Sequence, residues 1–507
     1  MNVKIFSVGS LIMISTLVIN AQTSDNTPKF RRSSIYSIMV HSNATDTKLK
    51  EADEAAANSN VIKGLIKSAS KSAGSDSSKV DPVVVRDLFP TIAIPQQFND
   101  FNLSTRVIEF DNYTITDDDI KAADEADGTK KKKGFGGLAS KAMGAVGMDM
   151  SKLPAMPGTD DVTKGMKALA LKFFKEENTA ANLVAKWYNY SDAEKEGSHY
   201  DMATINDKGI YSISAEDKRK FEASGEANSK ITDDAVNLIG HTYVMFNYFK
   251  YRSNAAIIAE LQAYADLVGS QVGGAIGIAA SQAAGLAAST IAGDGYSVQT
   301  NTYLYRLDWT DEANNTFYEK YWNGSLEDLI NSGICKLTYV GKEKSRAGVR
   351  VGAFSKVNYN DLLKRAVLRS LDENIARLQV SFEDFRTLTP ILGVDAKAGE
   401  IYAEIGLREN LDPKDEYEVL QPIEGSDGTI TYKSVGKFKP VEGKIYDNRE
   451  GAAEEIAEDL QSTDTKVKEA AEKVSGLTKS TFAGGKVKEE YAGCFLRLTK
   501  KAKGKNK

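Results

Sequence analysis

The chain has 507 residues, 41% hydrophobic and 27% charged, the composition of ordinary globular protein with room for two or three packed cores. Lysine and arginine number 65 against 70 acids, a formal charge of -5, so no global basic excess draws in nucleic acid, and no nucleic-acid partner is expected. The 2 cysteines, Cys335 and Cys494, are too few for a disulfide scaffold and read as buried thiols.

Lys4, the apolar run Ile5 to Ile19 and then Asn20-Ala21-Gln22 read as a signal peptide over 1–21, cleaved after Ala21. No cysteine follows to accept a lipid, so an exported, unlipidated mature protein is expected. A main α+β domain, α/β-like in its order of elements, is predicted over 22–390. Its first strand is Phe30 to Ser42, with Tyr36, Ile38 and Val40 on one face. A solvated helix follows over Leu49 to Ser72, then a strand at Thr105 to Phe110 and a helix start at Thr116 to Asp119.

From Gly128 to Gly158 the periodicity dissolves into a Gly-rich loop headed by Lys130 to Lys133. Such a basic run beside Phe135, Leu138 and Met143 suits a mobile loop or contact with an anionic membrane surface. Helical spacing resumes over Val162 to Tyr190, broken at Asn178. An Asp207-Lys208-Gly209 turn, a short strand and a helix start at Ser214 come next. A helix at Asp233 to Ile239 leads into a buried strand, His241 to Phe249.

The chain is organised around Leu267 to Ala292, a charge-free run of mostly Gly, Ala and Ser. Continuous from Asn254, it would form a helix about 58 Å long. Small residues recur at Gly269, Gly273, Gly277, Ser281, Gly285 and Ser289, a spacing that gives a groove for close helix packing. A protein partner, or self-association, is the expected occupant. The run holds too few large aliphatics for a favoured membrane span.

Tyr296 to Trp309 is the clearest strand, with Tyr303, Tyr305, Leu307 and Trp309 on one face. Strand, long helix and strand in that order predict a βαβ-like unit. Phe317 to Leu329 reads as helix, Cys335 to Val340 as strand, and Tyr359 to Leu378 as an amphipathic helix carrying Leu363, Val367, Leu371, Ile375 and Leu378. Beyond Pro390 the texture changes to short strands, predicting a small β-barrel or sandwich over 396–500. A charged helix, Glu450 to Lys473, precedes its closing strand, Cys494 to Lys500, and 501–507 form a disordered basic tail.

Motifs for chemistry are sparse. The 3 histidines, His41, His199 and His241, have no metal-binding spacing, so no metal or cofactor is expected. Gly485-Lys486 lacks the rest of a phosphate loop, no G-x-S-x-G elbow occurs, and Ser68-Ala-Ser-Lys71 matches S-x-x-K by composition. Asp117 to Asp119 fit a helix start rather than a calcium loop.

The segments LVAKWYN (Leu183 to Asn189), DMATINDKGIYS (Asp201 to Ser212), NLIGHTYVMFN (Asn237 to Asn247) and GDGYSVQTNTYLYRLDW (Gly293 to Trp309) resemble a family of exported proteins of unknown function from Gram-negative bacteria. The order of elements, ending in IGLRENLDPKDEYEVLQ (Ile405 to Gln421), is similar in pattern to envelope assembly proteins of the curli-secretion lipoprotein type. The family brings no assigned activity; the small-residue run and the lack of catalytic motifs lead to the expectation of a non-catalytic envelope component, in the periplasm or at the cell surface, that acts in assembly. A secreted hydrolase acting on an envelope or dietary polymer is the alternative, and needs two facing carboxylates that sequence alone does not show.

Overall fold

The computed structural model describes residues 33–43, 47, 51, 83–95, 97–126, 161–193, 198–209, 235–253, 295–350, 359–424 and 430–502. Two sheets divide them, and the α+β class expected from sequence is what the chain adopts. The first sheet starts from β1 (Ser34–His41), whose eight residues are all buried. A strand covered on both faces has no reason to alternate in polarity, which accounts for the nearly continuous apolar run. Alongside β1, in parallel, lie β2 (Asn99–Asp100), β3 (Val107–Glu109) and β4 (Thr242–Ser253). The antiparallel strands β5 (Gly295–Asp308) and β6 (Lys336–Arg350) extend the sheet beyond β4.

One face of this sheet carries Tyr36, Ile38, Val40, Val244, Phe246, Tyr303, Tyr305 and Leu307, and these join a core with Trp187, Trp309 and Phe317. The helices in sequence order are α1 (Val83–Leu88), α2 (Asp117–Ala126), α3 (Asp161–Glu176), α4 (Thr179–Trp187), α5 (Ala203–Gly209), α6 (Ala235–Gly240), α7 (Asp311–Lys320), α8 (Leu326–Asn331) and α9 (Tyr359–Ser381). Residues of α3 to α8 supply most of the rest of that first core. The opposite face, with Ile35, Met39, Tyr243, Met245, Val298 and Leu304, packs on α9 and α1. The stripe Leu363, Val367, Leu371, Ile375 and Leu378 lies in this second core, as its spacing predicts.

Several boundaries differ from expectation for local reasons. Asn178 separates α3 from α4 in the left-handed conformation, φ 49°, without capping α4 through its side chain. The Asp207-Lys208-Gly209 sequence is the last turn of α5 rather than a free turn. The single helix predicted from Phe317 is two, because Ser325 and Asp328 form a reciprocal capping box that starts α8. The start of α2 is as read: Thr116 Oγ1 accepts from Asp119 N at 3.2 Å while Asp119 Oδ2 accepts from Thr116 N at 2.9 Å.

The βαβ-like reading around β4 and β5 is corrected. These strands are antiparallel neighbours, paired without a break from Tyr243↔Arg306 to Ser253↔Tyr296. Residues 254–294 therefore leave and re-enter the sheet at one end, as an insertion between hairpin strands and not a crossover. The organising stretch itself, the helix predicted over Leu49 to Ser72 and the Gly-rich stretch near 128–158 lie outside the described residues.

Between β5 and β6 the register shifts at Leu304/Tyr305, so that Leu304 faces Gly341 but Tyr305 faces Tyr339, leaving Val340 as the extra residue. The shift exchanges the faces of β6. Leu337 and Tyr339 share a face with Tyr305 and Leu307, and beyond the bulge Lys342, Lys344 and Arg346 take over that face. Gly341 sits where a Cβ would lie 2.2 Å from the Phe382 ring, so a side chain beside the bulge would have to displace that ring.

The second sheet is made of β7 (Thr389–Pro390), β8 (Gly393–Asp395), β9 (Glu400–Ala403), β10 (Glu416–Glu424), β11 (Ile430–Pro440), β12 (Ser480–Ala483) and β13 (Phe495–Lys500), in the order β7-β13-β10-β11-β12-β9-β8. Its two edges belong to one run of chain: Ile391 N donates to Cys494 O at 2.9 Å and Leu392 N donates to Tyr402 O at 2.9 Å. The sheet thereby closes on itself as a small barrel around Ile401, Tyr417, Val419, Phe438, Phe482 and Leu496. The charged segment before its last strand is two helices, α10 (Ala452–Asp459) and α11 (Thr465–Val474). Lys501, expected to open a disordered tail, is instead fixed: its Nζ lies 2.6 Å from Asp415 Oδ2, and Ala502 N donates to Asp415 Oδ1 at 2.8 Å. Cys335 and Cys494 are free thiols.

Candidate functional site

The carboxyl ends of parallel strands are where α/β sheets present chemistry, and β1 and β3 end there with His41 and Glu109 paired, Nδ1 to Oε2 2.6 Å. Next to them Ser42 Oγ donates to Asp111 Oδ1 at 2.9 Å. An imidazole held by a carboxylate is the arrangement of a general base. His41 is 2% exposed and Glu109 only partly covered, and their pairing fastens β1 to β3. His199 and His241 bond to backbone carbonyls, Nδ1 to Ser191 O 3.0 Å and Nδ1 to Asn237 O 2.7 Å. No group of metal-binding side chains occurs among the described residues.

A second polar array crosses the sheet beneath α9. Asn247 Nδ2 on β4 donates to Ser37 Oγ at 3.1 Å and to Ile38 O at 3.0 Å, and Thr302 Oγ1 donates to Asn247 Oδ1 at 2.6 Å. Asn374 Nδ2 on α9 donates to Thr302 Oγ1 at 2.6 Å, and Ser370, one turn earlier, shares a 2.7 Å bond with Thr300 Oγ1. Ser345 Oγ on β6 donates to Ser370 O at 2.6 Å. All these residues are buried, so the row fixes how α9 sits on four strands. Within this row, Asn374 Oδ1 has no partner among the described residues.

The outer side of α9 meets the barrel. Arg369 NH1 pairs with Glu455 Oε1 at 2.9 Å and its Nε donates to Glu450 O at 2.9 Å. Arg408 Nε lies 2.9 Å from Asp372 Oδ2, yet burial outweighs this attraction and pushes the Asp372 carboxyl up to about 6. Gly406 starts the short helix that carries Arg408, and a Cβ there would lie 2.0 Å from Tyr446 O, so only glycine allows the approach. Arg386 donates to Gln379 O at 2.8 Å and Val380 O at 3.1 Å, carbonyls of the last turn of α9, and reaches Leu498 O of the barrel at 3.5 Å.

A narrow cleft opens at this joint, lined by Gln379, Val380, Glu409, Tyr417, Leu496 and Lys501 among others. Its charged groups are engaged within the chain, Lys501 by Asp415 and Glu409 by Gly406 N at 2.7 Å and Asn448 Nδ2 at 2.8 Å. The cleft is a seam between two bodies with polar groups already matched, not a set of waiting catalytic groups. Sequence reading missed all of it. The one legible signal was Ser370 and Asn374, polar and one turn apart beside the apolar stripe of α9.

The residues predicted to form the helix groove, Gly269, Gly273, Gly277, Ser281, Gly285 and Ser289, lie outside the described residues. The structure places only the strand ends that hold their segment, Ser253 and Tyr296, paired across β4 and β5. Among the described residues no helix is long and apolar enough to cross a membrane. No family model matches the chain, and no curated protein matches it.

Proposed function

We propose that the protein is a non-catalytic, exported envelope component that works by assembly with a protein partner or a second copy of itself, through the small-residue row Gly269, Gly273, Gly277, Ser281, Gly285 and Ser289. The observation that carries this reading is the anchoring of that segment. Ser253↔Tyr296 closes a continuous β4–β5 ladder, in a sheet with cores on both faces, so both ends of 254–294 stand side by side on a rigid base. A charge-free run offered from such a base suits docking, where small residues permit close approach without ordering long side chains. Export to the periplasm or cell surface follows from the N-terminal reading, with Gln22 as the first mature residue.

The test combines Gly273→Leu with Gly277→Leu and compares the pair with Ala280→Leu, which lies off the row. The double variant should lose its assembly in size-exclusion chromatography of envelope extracts, while Ala280→Leu keeps it. Equal elution of both variants and wild type would overturn the reading.

A further inference from the structure

Beyond the bulge at Val340, the sheet face that carries the first core changes character. Three cross-strand rows can be read from the register: Phe246–Tyr303–Lys342, Tyr248–Asn301–Lys344 and Lys250–Gln299–Arg346. Facing side chains on neighbouring strands stand about 5 Å apart and diagonal ones about 7–8 Å. Asn301 is therefore the centre of a grid, with Lys344 opposite and Lys342, Arg346 and Lys250 at the corners.

Two features set this grid apart from lysines that merely guard an exposed edge strand. First, Asn301 is 8% exposed and its Nδ2 has no acceptor among the described residues, a buried donor that folding alone gives no reason to leave unmatched. Second, Lys342, Lys344 and Arg346 are exposed on one face and none forms an ion pair among the described residues. Tyr303 holds Lys342 Nζ 5.7 Å from its ring centroid, which orients one corner. The Lys344 amine is lowered by burial and then by the repulsion of Arg346, Lys250 and Lys342, so the cations share one local field.

We propose that the Asn301 grid is a binding site for a phosphate-type oxyanion, carried by a soluble phosphorylated ligand. A tetrahedral dianion offers acceptors in several directions at once. Arg346 supplies a planar fork, Lys342 and Lys344 supply point charges, and the Asn301 amide supplies the neutral donor at the floor. A planar monocarboxylate would satisfy fewer of these groups and neutralise less of their mutual repulsion.

The test is titration of the full chain with inorganic phosphate and with inorganic pyrophosphate, by calorimetry and thermal melting, at an ionic strength held constant with sodium chloride. Saturable binding and a raised melting temperature are expected with both probes and not with chloride. Lys344→Ala with Arg346→Ala, both exposed, should melt like wild type in chloride and bind at least roughly tenfold more weakly. Asn301→Ala should weaken binding several-fold; if that variant misfolds, the Lys344/Arg346 pair still decides. Identical titrations of wild type and the pair would overturn the proposal, as would the absence of saturable heat with either probe. Binding only to phosphatidylglycerol vesicles, with no response to the soluble probes, would overturn it in favour of a membrane-surface patch.

Discussion

Two asparagines in the polar row beneath α9 should respond in opposite ways to leucine. Asn247 donates through Nδ2 to three oxygens, Ser37 Oγ, Ile38 O and Met245 O, at 3.0 to 3.2 Å, and accepts from Thr302 at 2.6 Å. The amide has two hydrogens, so at most two of the three donated contacts are full bonds. Asn247→Leu removes about three bonds at about 1 kcal/mol each and leaves the Thr302 hydroxyl proton without its acceptor, a loss of roughly 3–5 kcal/mol. Asn374→Leu loses the 2.6 Å bond to Thr302 and a long 3.4 Å contact to Thr300 O but also removes the unpartnered Oδ1. The first change costs about 1 kcal/mol and the second returns about 1–3 kcal/mol, so the variant should be neutral or more stable. Urea unfolding followed by the fluorescence of the buried Trp187 and Trp309 measures both. An Asn374→Leu midpoint displaced as far down as that of Asn247→Leu would refute the reasoning, because it would mean that Oδ1 is matched in solution.

The Asp372 carboxyl, pushed up to about 6 by burial, takes up a proton on folding between its ordinary 3.8 and that value. Its stabilising contribution is full below about pH 4 and is lost as the pH rises through 6. Asp372→Asn should therefore melt above wild type at pH 8, with the difference vanishing towards pH 4; a difference independent of pH in thermal melts would count against the burial argument. A fragment of residues 386–502 should show a cooperative thermal transition by circular dichroism, whereas 396–500 should not, since it lacks the Thr389–Asp395 run that closes the barrel. Equal transitions in the two fragments would show that closure is dispensable.

Much of the fold could be read from single segments. The alternation of Tyr303, Tyr305 and Leu307 and the stripe from Leu363 to Leu378 are strong because each pattern reports a face buried against one layer. Pairing was less legible. The order of β4, a long insertion and β5 is the same for a crossover and for an extended hairpin, and only the register Ser253↔Tyr296 separates them. The strand β12 escaped notice because Ser480–Ala483 is four residues long and all but the last are buried, so it carries no alternation. The joint with the barrel left no local trace, since Asp372 and Arg408 meet across elements and neither belongs to a motif. The Asn301 grid was hidden by the bulge at Val340, which moves three cations to a face that simple parity assigns to the other side.

The closure of the barrel has a consequence in time. Thr389 pairs with Leu496, so its first strand waits for its last across about a hundred residues of chain. During synthesis α9 emerges well before that last strand, and its inner stripe has a ready partner in β4, β5 and β6, which precede it. Its outer side does not. That side carries Arg365, Arg369, Asp372 and Gln379 in place of a second apolar stripe. Water can solvate these groups while the barrel is unfinished, so a half-made chain exposes charge at the joint and not an adhesive surface. The burial that raises the Asp372 carboxyl is then a cost met only when the two bodies dock, not while α9 packs on its sheet.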